Sequence, residues 1–193
     1  DVSYGVVFGE SVAERVFFKS PSPGEVNMVE DSVGGAEISD VYHYPRRVRT
    51  GEELLVSANL AADGDNVDGN SVKLVYRVMF GDEVSLAMHD DGSDGDFLRG
   101  DGIYTAVIDT GDIEAGQMVR WYIVADDVDG GSRREPLFAG LNSTPEYYGT
   151  VVLDDEVDDS IDRLLWFVED AAGAETDEGT RCSVYYGGEF YDN

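Results

Sequence analysis

Alternation of apolar and polar residues constrains the fold of this chain more than any other feature. Every second residue is apolar in residues 54–60, 72–80 and 119–125. Successive side chains of a strand point to opposite faces, so a period of two predicts strands with one face in a core. We find no convincing helical period before residue 161. Residues 36–153 are therefore predicted to be all-β.

The number and spacing of the apolar runs favour one all-β architecture. Seven runs lie near residues 36–42, 53–61, 71–80, 83–89, 103–109, 116–125 and 146–153. Short strands at such intervals are typical of sandwiches. We predict a seven-stranded immunoglobulin-like β-sandwich over residues 36–153, with a tight hairpin at Gly81 and Asp82.

Shorter pieces flank the predicted sandwich on both sides. Residues 1–35 are predicted to form a short β extension, with strands near 2–8 and 15–19, followed by a linker. After an acidic connector at residues 154–160, the run 161–168 fits either a strand or a helix. Two β-rich runs separated by Gly187 and Gly188 predict a C-terminal β-hairpin. We treat residues 1–35, 36–153 and 154–193 as three parts.

Residues 90–101 form an acidic loop between two apolar runs. Glycines allow positive φ there, and aspartates supply hard oxygen ligands or close turns on their own backbone. Such loops often hold Ca²⁺, although the spacing is not that of an EF-hand. The predicted ligands are Asp90, Asp91, Asp94, Asp96 and Asp101. Alternatively, these aspartates only form turns and face water.

Two further acidic loops are expected near the first one. In an immunoglobulin-like sandwich, the loops after the second, fourth and sixth strands lie at one pole. The additional candidates for metal binding there are Asp63, Asp65, Asp68, Asp126, Asp127 and Asp129. Eleven aspartates at one pole would repel each other, and a structural Ca²⁺ ion is the usual way to neutralise them.

Net charge limits the classes of partner. The chain has 41 acidic and 13 basic residues, a formal charge of −28. Such a surface repels nucleic acid and anionic membranes and attracts divalent cations, although general solubility is an equally good reason for it. No apolar run approaches a membrane span. With one cysteine, Cys182, no internal disulfide can form.

Binding of carbohydrate is the alternative to a metal-stabilised spacer. The tyrosines that could stack on sugar rings are Tyr42, Tyr44, Tyr122, Tyr147 and Tyr148. Alternatively, most of them complete the core or its edges. We predict no catalytic residue: His89 fits a solvated position at a strand end, and Cys182 fits a small buried apolar residue.

Three motifs resemble known bacterial families. The pattern Met-x-Asp-Asp-Gly…Gly-Asp-Gly-x-Tyr-Thr-Ala, with residues 116–127, resembles immunoglobulin-like or fibronectin-III-like modules of large secreted or surface proteins. The C-terminal residues 181–193 resemble the opening hairpin of CotH-type domains, which are similar to atypical protein kinases. Residues 1–5 and 20–27 are similar to the end of lamin-tail-like domains. The CotH resemblance stops before any ATP-binding or metal-binding motif, so it carries no catalytic residue onto this chain.

Together these observations predict a non-catalytic, extracellular module of a surface protein. We expect it to be stabilised by Ca²⁺ and to act as a spacer or as a presentation and adhesion domain beside neighbouring domains of the same protein. A carbohydrate-binding module that uses exposed tyrosines is the alternative. A third interpretation is an accessory part of a CotH-like kinase whose catalytic core lies outside these 193 residues.

Overall fold

The computed structural model describes most of the chain. The described residues are 3–8, 13–18, 32–33, 36–61, 67–128, 131–138, 144–154, 163–176 and 179–192. Their strands are β1 (Ser3–Phe8), β2 (Ala13–Phe18), β3 (Ser32–Val33), β4 (Glu37–Tyr44), β5 (Glu53–Ala61), β6 (Lys73–Val78), β7 (Val84–Ala87), β8 (Ile103–Asp109), β9 (Met118–Asp126), β10 (Ser132–Glu135), β11 (Tyr148–Val151), β12 (Leu164–Val168), β13 (Cys182–Tyr186) and β14 (Glu189–Asp192). These residues contain no α-helix, only one 3₁₀ turn at Gly173–Glu175. The all-β prediction is confirmed.

Two antiparallel sheets form a β-sandwich-like body. One has the order β4-β5-β8, and the other has the order β10-β9-β6-β7, with β11 also paired to β9. The register of β5 against β8 is continuous from Glu53 opposite Asp109 to Asn59 opposite Ile103. Strand β4 contains an irregularity between Ser39 and Tyr42, after which its pairing with β5 resumes.

The core lies between these two sheets and follows the alternation in the sequence. The core residues of the two longest strands, β5 and β9, are Leu54, Val56, Ala58, Leu60, Val119, Trp121, Ile123 and Ala125. Trp121 is buried among them, and the edge of the His43 ring contacts it at a centroid distance of 5.2 Å. Burial of each large apolar side chain contributes about 1.5–3 kcal/mol, so this interface accounts for much of the stability.

Two smaller three-stranded sheets complete the described structure. The N-terminal sheet has the order β1-β2-β3, and the C-terminal sheet has the order β12-β13-β14. The predicted hairpin between β13 and β14 is present, with Tyr186 opposite Glu189 across a two-residue turn. Both turn residues, Gly187 and Gly188, have positive φ, as the turns that suit twisted strands require.

The C-terminal sheet packs on the sandwich through a second apolar cluster. Met118, Val151 and Leu153 of the sandwich lie against Phe167 and Tyr185 of the C-terminal sheet, and all five are buried. The contact between β14 and β11 is close, because a Cβ atom on Gly149 would lie 2.5 Å from the Phe190 ring. Residues 36–154 and the C-terminal sheet therefore share a packed interface.

Several details of the strand prediction differ from the structure. The polar strand β10 was not predicted, and β3 lies within the predicted linker. Residues 79–83 connect β6 to β7, so the predicted hairpin has five connecting residues rather than two; Met79 has φ 52°. The undecided run 161–168 contains strand β12, because it pairs with β13.

Candidate functional site

The acidic loop is organised by carboxylates that accept backbone N–H groups. The Asp90 carboxylate accepts bonds from three consecutive amides: Gly100, Asp101 at 3.3 Å and Gly102 at 3.0 Å. Asp90 thus ties the start of the loop to its end. An anion that accepts several converging N–H groups is a stable arrangement in a loop.

Asp96 closes the middle of the same loop. Its side chain accepts the Gly92 N–H at 2.6 Å and the Leu98 N–H at 3.3 Å. The residue is only 8% exposed although it lies in a loop of mostly exposed residues. Gly95, at φ 93°, allows the tight approach of this loop to β5, since a Cβ there would lie 2.0 Å from Leu55.

Three of the five predicted ligands converge. One carboxylate oxygen from each of Asp90, Asp96 and Asp101 lies within 4.8 Å of the other two. Ca²⁺ binds oxygen at about 2.4 Å, so two ligands on opposite sides of one ion are about 4.8 Å apart. The spacing of the three oxygens is therefore compatible with a single shared cation. Such an ion would need further oxygens, since Ca²⁺ takes six to eight.

The other two predicted ligands lie outside this group. Asp91 accepts the N–H of Ser93 at 3.0 Å and its hydroxyl at 2.5 Å, and these two bonds lower the pKa of the Asp91 carboxyl. Asp94 is exposed and has φ 48°, so it occupies the left-handed region itself. Both therefore shape turns of the loop rather than join the group of three.

The described parts of the two other acidic loops, residues 67–70 and 126–128, pair with each other. Val67 forms a β-bridge with Asp127, and the Asp68 N–H donates to the Asp126 carbonyl at 3.0 Å. Burial raises the pKa of the Tyr104 hydroxyl, and the charges of Asp90 and Asp68 raise it further. A Cβ atom on Gly69 would lie 2.9 Å from the Tyr104 hydroxyl oxygen, so Tyr104 also lies close to the loop that contains Asp68. Of the additional candidates, Asp63, Asp65 and Asp129 lie outside the described residues.

A buried polar cluster around one carboxylate, not predicted from the sequence, lies between the sandwich and the C-terminal sheet. We call it the joint; it consists of Arg120, Asp192, Ser183 and the backbone of residues 146–147. The Asp192 carboxylate accepts the Ser183 hydroxyl at 2.7 Å, the Tyr147 N–H at 3.1 Å and the Arg120 guanidinium at 3.3 Å. The side chains of Arg120 and Asp192 are 2% and 0% exposed.

Aromatic rings and a carbonyl complete the surroundings of Arg120. Its guanidinium donates to the Met79 carbonyl at 2.7 Å and lies 4.8 Å from the ring centroids of both Phe80 and Tyr147. Burial lowers the pKa of this guanidinium, and the Asp192 charge opposes that shift. The joint is therefore a buried ion pair with several hydrogen bonds, and it ties β14 to β9.

No local sequence signal could have paired these two residues. Arg120 lies between the inward-facing Val119 and Trp121, so alternation only places it on the outer face of its strand. Asp192 lies 72 residues away, in a hairpin beyond the predicted boundary of the sandwich. The one hint in the sequence is that Arg120 lies in an otherwise apolar run, where a buried charge needs a partner.

The five candidate tyrosines occupy different environments. Tyr42 and Tyr44 are more than half exposed on β4, whereas Tyr147 is only 3% exposed. Arg134 stacks 3.7 Å from the centroid of the Tyr122 ring, and that ring lies 5.7 Å from the Tyr147 ring. Tyr148 packs against the sandwich core and donates to Glu135 at 2.7 Å. Of these five tyrosines, only the two on β4 therefore offer open rings.

The described residues define a β-sandwich-like, all-β protein in which the strand ends that lead into the acidic loops lie at the same end of each main sheet. No protein-family model matches the chain, and no curated protein matches it in sequence. Within the described ranges, no helix is long and apolar enough to cross a membrane. The resemblances to lamin-tail-like, immunoglobulin-like and CotH-type families stay predictions.

Proposed function

We propose that this chain is a non-catalytic, immunoglobulin-like module that acts as a spacer and presents a neighbouring domain of an extracellular surface protein. The pairing orders β4-β5-β8 and β10-β9-β6-β7 support the immunoglobulin-like part of this proposal. A presenting module must hold its neighbour at a fixed position. The joint supports that role, because its buried ion pair and hydrogen bonds attach the C-terminal sheet to the sandwich.

The two tryptophans allow this coupling to be tested. Trp121 lies in the sandwich core and Trp166 lies on β12, so Trp166→Phe and Trp121→Phe variants each report on one part. In each variant we expect the tryptophan fluorescence and the far-UV circular dichroism to give the same urea midpoint, since coupled parts unfold in one cooperative transition. Two separate transitions, with the C-terminal sheet unfolding first, would contradict the proposal of a rigid presenting module.

We further propose that Asp90, Asp96 and Asp101 hold a structural Ca²⁺ ion. Two unit charges about 4 Å apart repel by about 1 kcal/mol in water and by about 4 kcal/mol at the screening typical of a protein surface. The amides that bind Asp90 and Asp96 offset part of this repulsion. A bound divalent cation would offset the rest and stiffen the loops around it.

Thermal unfolding in EDTA, CaCl₂ and MgCl₂ tests the calcium proposal. Ligand linkage gives about 2.7 kcal/mol of stabilisation when free Ca²⁺ is a hundredfold above its Kd. We expect the stabilisation to disappear in the triple variant Asp90→Asn, Asp96→Asn, Asp101→Asn. The matched control is Asp91→Asn with Asp94→Asn, which should keep it. Identical curves in EDTA and CaCl₂ would mean that the aspartates only form turns.

Binding of a glycan is the second candidate function, and one observation favours it. Tyr42 and Tyr44 are both exposed and stand two residues apart on β4, on the same side of the strand. Affinity electrophoresis in polysaccharide gels would show retardation that Tyr42→Ser and Tyr44→Ser abolish. Equal mobility with and without polysaccharide would reject glycan binding and leave the spacer as the one remaining proposal.

A further inference from the structure

The C-terminal sheet has one covered face and one bare face. Leu165, Phe167, Tyr185 and Phe190 belong to the apolar cluster shared with the sandwich. On the opposite face, Leu164, Trp166, Tyr186 and Tyr191 are 66%, 68%, 50% and 59% exposed. Trp166, Val184 and Tyr191 lie in one row across the three strands, and Leu164 lies beside Tyr186 in the next row. We call these five residues the bare face.

The sequence of β12 has the pattern of a strand that is covered on both sides. All five of its residues are apolar, Leu-Leu-Trp-Phe-Val. An antiparallel sheet with one wet face alternates apolar and polar residues, whereas a strand buried on both faces is apolar throughout. Contiguous exposed apolar surface of this kind marks interaction sites.

We propose that the bare face binds a protein segment that combines apolar side chains with lysine or arginine. Glu169 and Asp170 follow β12 directly and Arg163 precedes it, while the chain as a whole has 41 acidic residues against 13 basic ones. A basic segment complements this charge, whereas a second copy of a chain with a net charge of −28 is repelled. Lysine and arginine also interact favourably with the faces of tryptophan and tyrosine rings.

The position of β12 in its sheet suits an extended partner. Among the described strands, β12 pairs only with β13 and forms one edge of the sheet. A peptide strand can therefore add to this edge through main-chain hydrogen bonds while its side chains reach the bare face. The aliphatic side chains of Leu164 and Val184, which lie among the aromatic rings, favour a peptide over a sugar.

Trp166 reports directly on this binding. It is exposed, whereas Trp121 is buried and serves as an internal reference. We would titrate the full chain with synthetic peptides of alternating Val and Lys, alternating Val and Glu, and alternating Ser and Lys. The Val–Lys peptide should shift the Trp166 emission to shorter wavelength and shield it from acrylamide, and the other two peptides should not.

Variants on the bare face define where the peptide binds. Leu164→Ser and Tyr191→Ser should each weaken the binding of the Val–Lys peptide by about tenfold or more, as expected for the loss of one buried apolar side chain. Val84→Ser, at an exposed apolar residue on β7 that belongs to no proposed site, is the control and should leave binding of the Val–Lys peptide unchanged. The unfolding midpoint of each variant checks that it folds.

Four results would overturn the proposal. The first two are binding of the Ser–Lys peptide as tight as that of the Val–Lys peptide, and shielding of Trp166 by soluble oligosaccharides. The third is shielding of Trp166 that grows with protein concentration while sedimentation equilibrium shows dimers. The fourth is that no peptide shields Trp166. The titrations are run in both EDTA and CaCl₂. Failure in both buffers, alongside a Ca²⁺-dependent unfolding midpoint and one cooperative transition, would reject this proposal and leave the proposed function standing.

Discussion

The acidic loop and the joint both depend on buried aspartates, but they provide hydrogen-bond donors and balancing charge for these carboxylates in different ways. The hydrogen bonds that we describe for Asp96 come from backbone amides alone. Asp192 also receives a guanidinium, so its charge is balanced inside the fold. A fully buried carboxylate needs a cation beside it, whereas a carboxylate near the surface can rely on amides and solvent. The joint therefore carries its own counterion, whereas the Ca²⁺ ion that we propose would supply one to the acidic loop.

Of the changes that test this comparison, removal of the Asp192 carboxylate should lower the free energy of unfolding most. Asp192→Ala leaves the Arg120 guanidinium buried without its partner, and breaking a buried ion pair on one side typically costs about 3–5 kcal/mol. We expect a loss of this size in urea denaturation. The signals of Trp166 and Trp121 should also separate into two transitions, because the C-terminal sheet loses its attachment.

The double variant Arg120→Met with Asp192→Leu is the control for that experiment. Replacing both charges removes the unpaired guanidinium, so the loss should be smaller than for Asp192→Ala alone. A loss below about 1 kcal/mol for Asp192→Ala would show that the joint contributes little, since a buried charge without a partner costs more than that.

A steric change where β11 contacts β14 should have the next largest effect on stability. Gly149→Ala places a methyl group against the Phe190 ring, where a Cβ would lie 2.5 Å away. Overpacking of this kind costs about 1–3 kcal/mol. Phe190→Leu in the same chain should restore part of the stability, measured by urea denaturation. No change in Gly149→Ala would mean that β14 moves away from β11 freely.

A smaller effect is expected at the acidic loop. Asp96→Ala leaves the amides of Gly92 and Leu98 without their acceptor, but both residues are exposed and water can replace the carboxylate, so we expect a loss of about 1 kcal/mol. Asp91→Ala, in the same loop but at its exposed surface, should leave the thermal midpoint nearly unchanged. Equal losses in the two variants, compared in EDTA, would contradict the structural role that we assign to Asp96.

The sequence predicted best those features that depend on local pattern. The run 53–61 and the run 103–109 match β5 and β8 residue for residue, because the first alternates clearly and the second is rich in β-branched residues. The two-residue turn at Gly187 and Gly188 needs positive φ, which glycine supplies at low cost. Each of these features depends on only a few neighbouring residues.

The features that the sequence did not predict depend on contacts between distant residues. Strand β10 has the sequence Ser-Arg-Arg-Glu, without an apolar alternation, and forms because it pairs with β9. The spacing of the aspartates could not separate Asp91 and Asp94 from Asp90, Asp96 and Asp101, since positive φ at Gly92 and Gly95 decides how the loop folds. The joint connects strands on opposite sides of a predicted boundary.

The smallest predicted effect is a pH dependence that belongs to neither aspartate cluster. Burial lowers the pKa of His43, and the nearby Arg46 charge lowers it further, while the Arg46 carbonyl and Glu189 oppose the shift. The unfolded chain takes up this proton near about pH 6.5. Below that pH the unfolded state binds more protons than the folded state, so stability should fall as the pH drops.

Urea denaturation between about pH 7.5 and 5.5 measures the slope of the free energy of unfolding against pH. This range lies above the usual pKa of carboxyl groups. His43→Gln removes the titrating group and should flatten the slope, whatever the variant's stability at pH 7.5. Asp91→Ala is the matched control from the acidic loop and should keep the slope of the original chain. A slope that persists in His43→Gln would assign the pH dependence to another group, and the contact between His43 and Trp121 would then have no role in it.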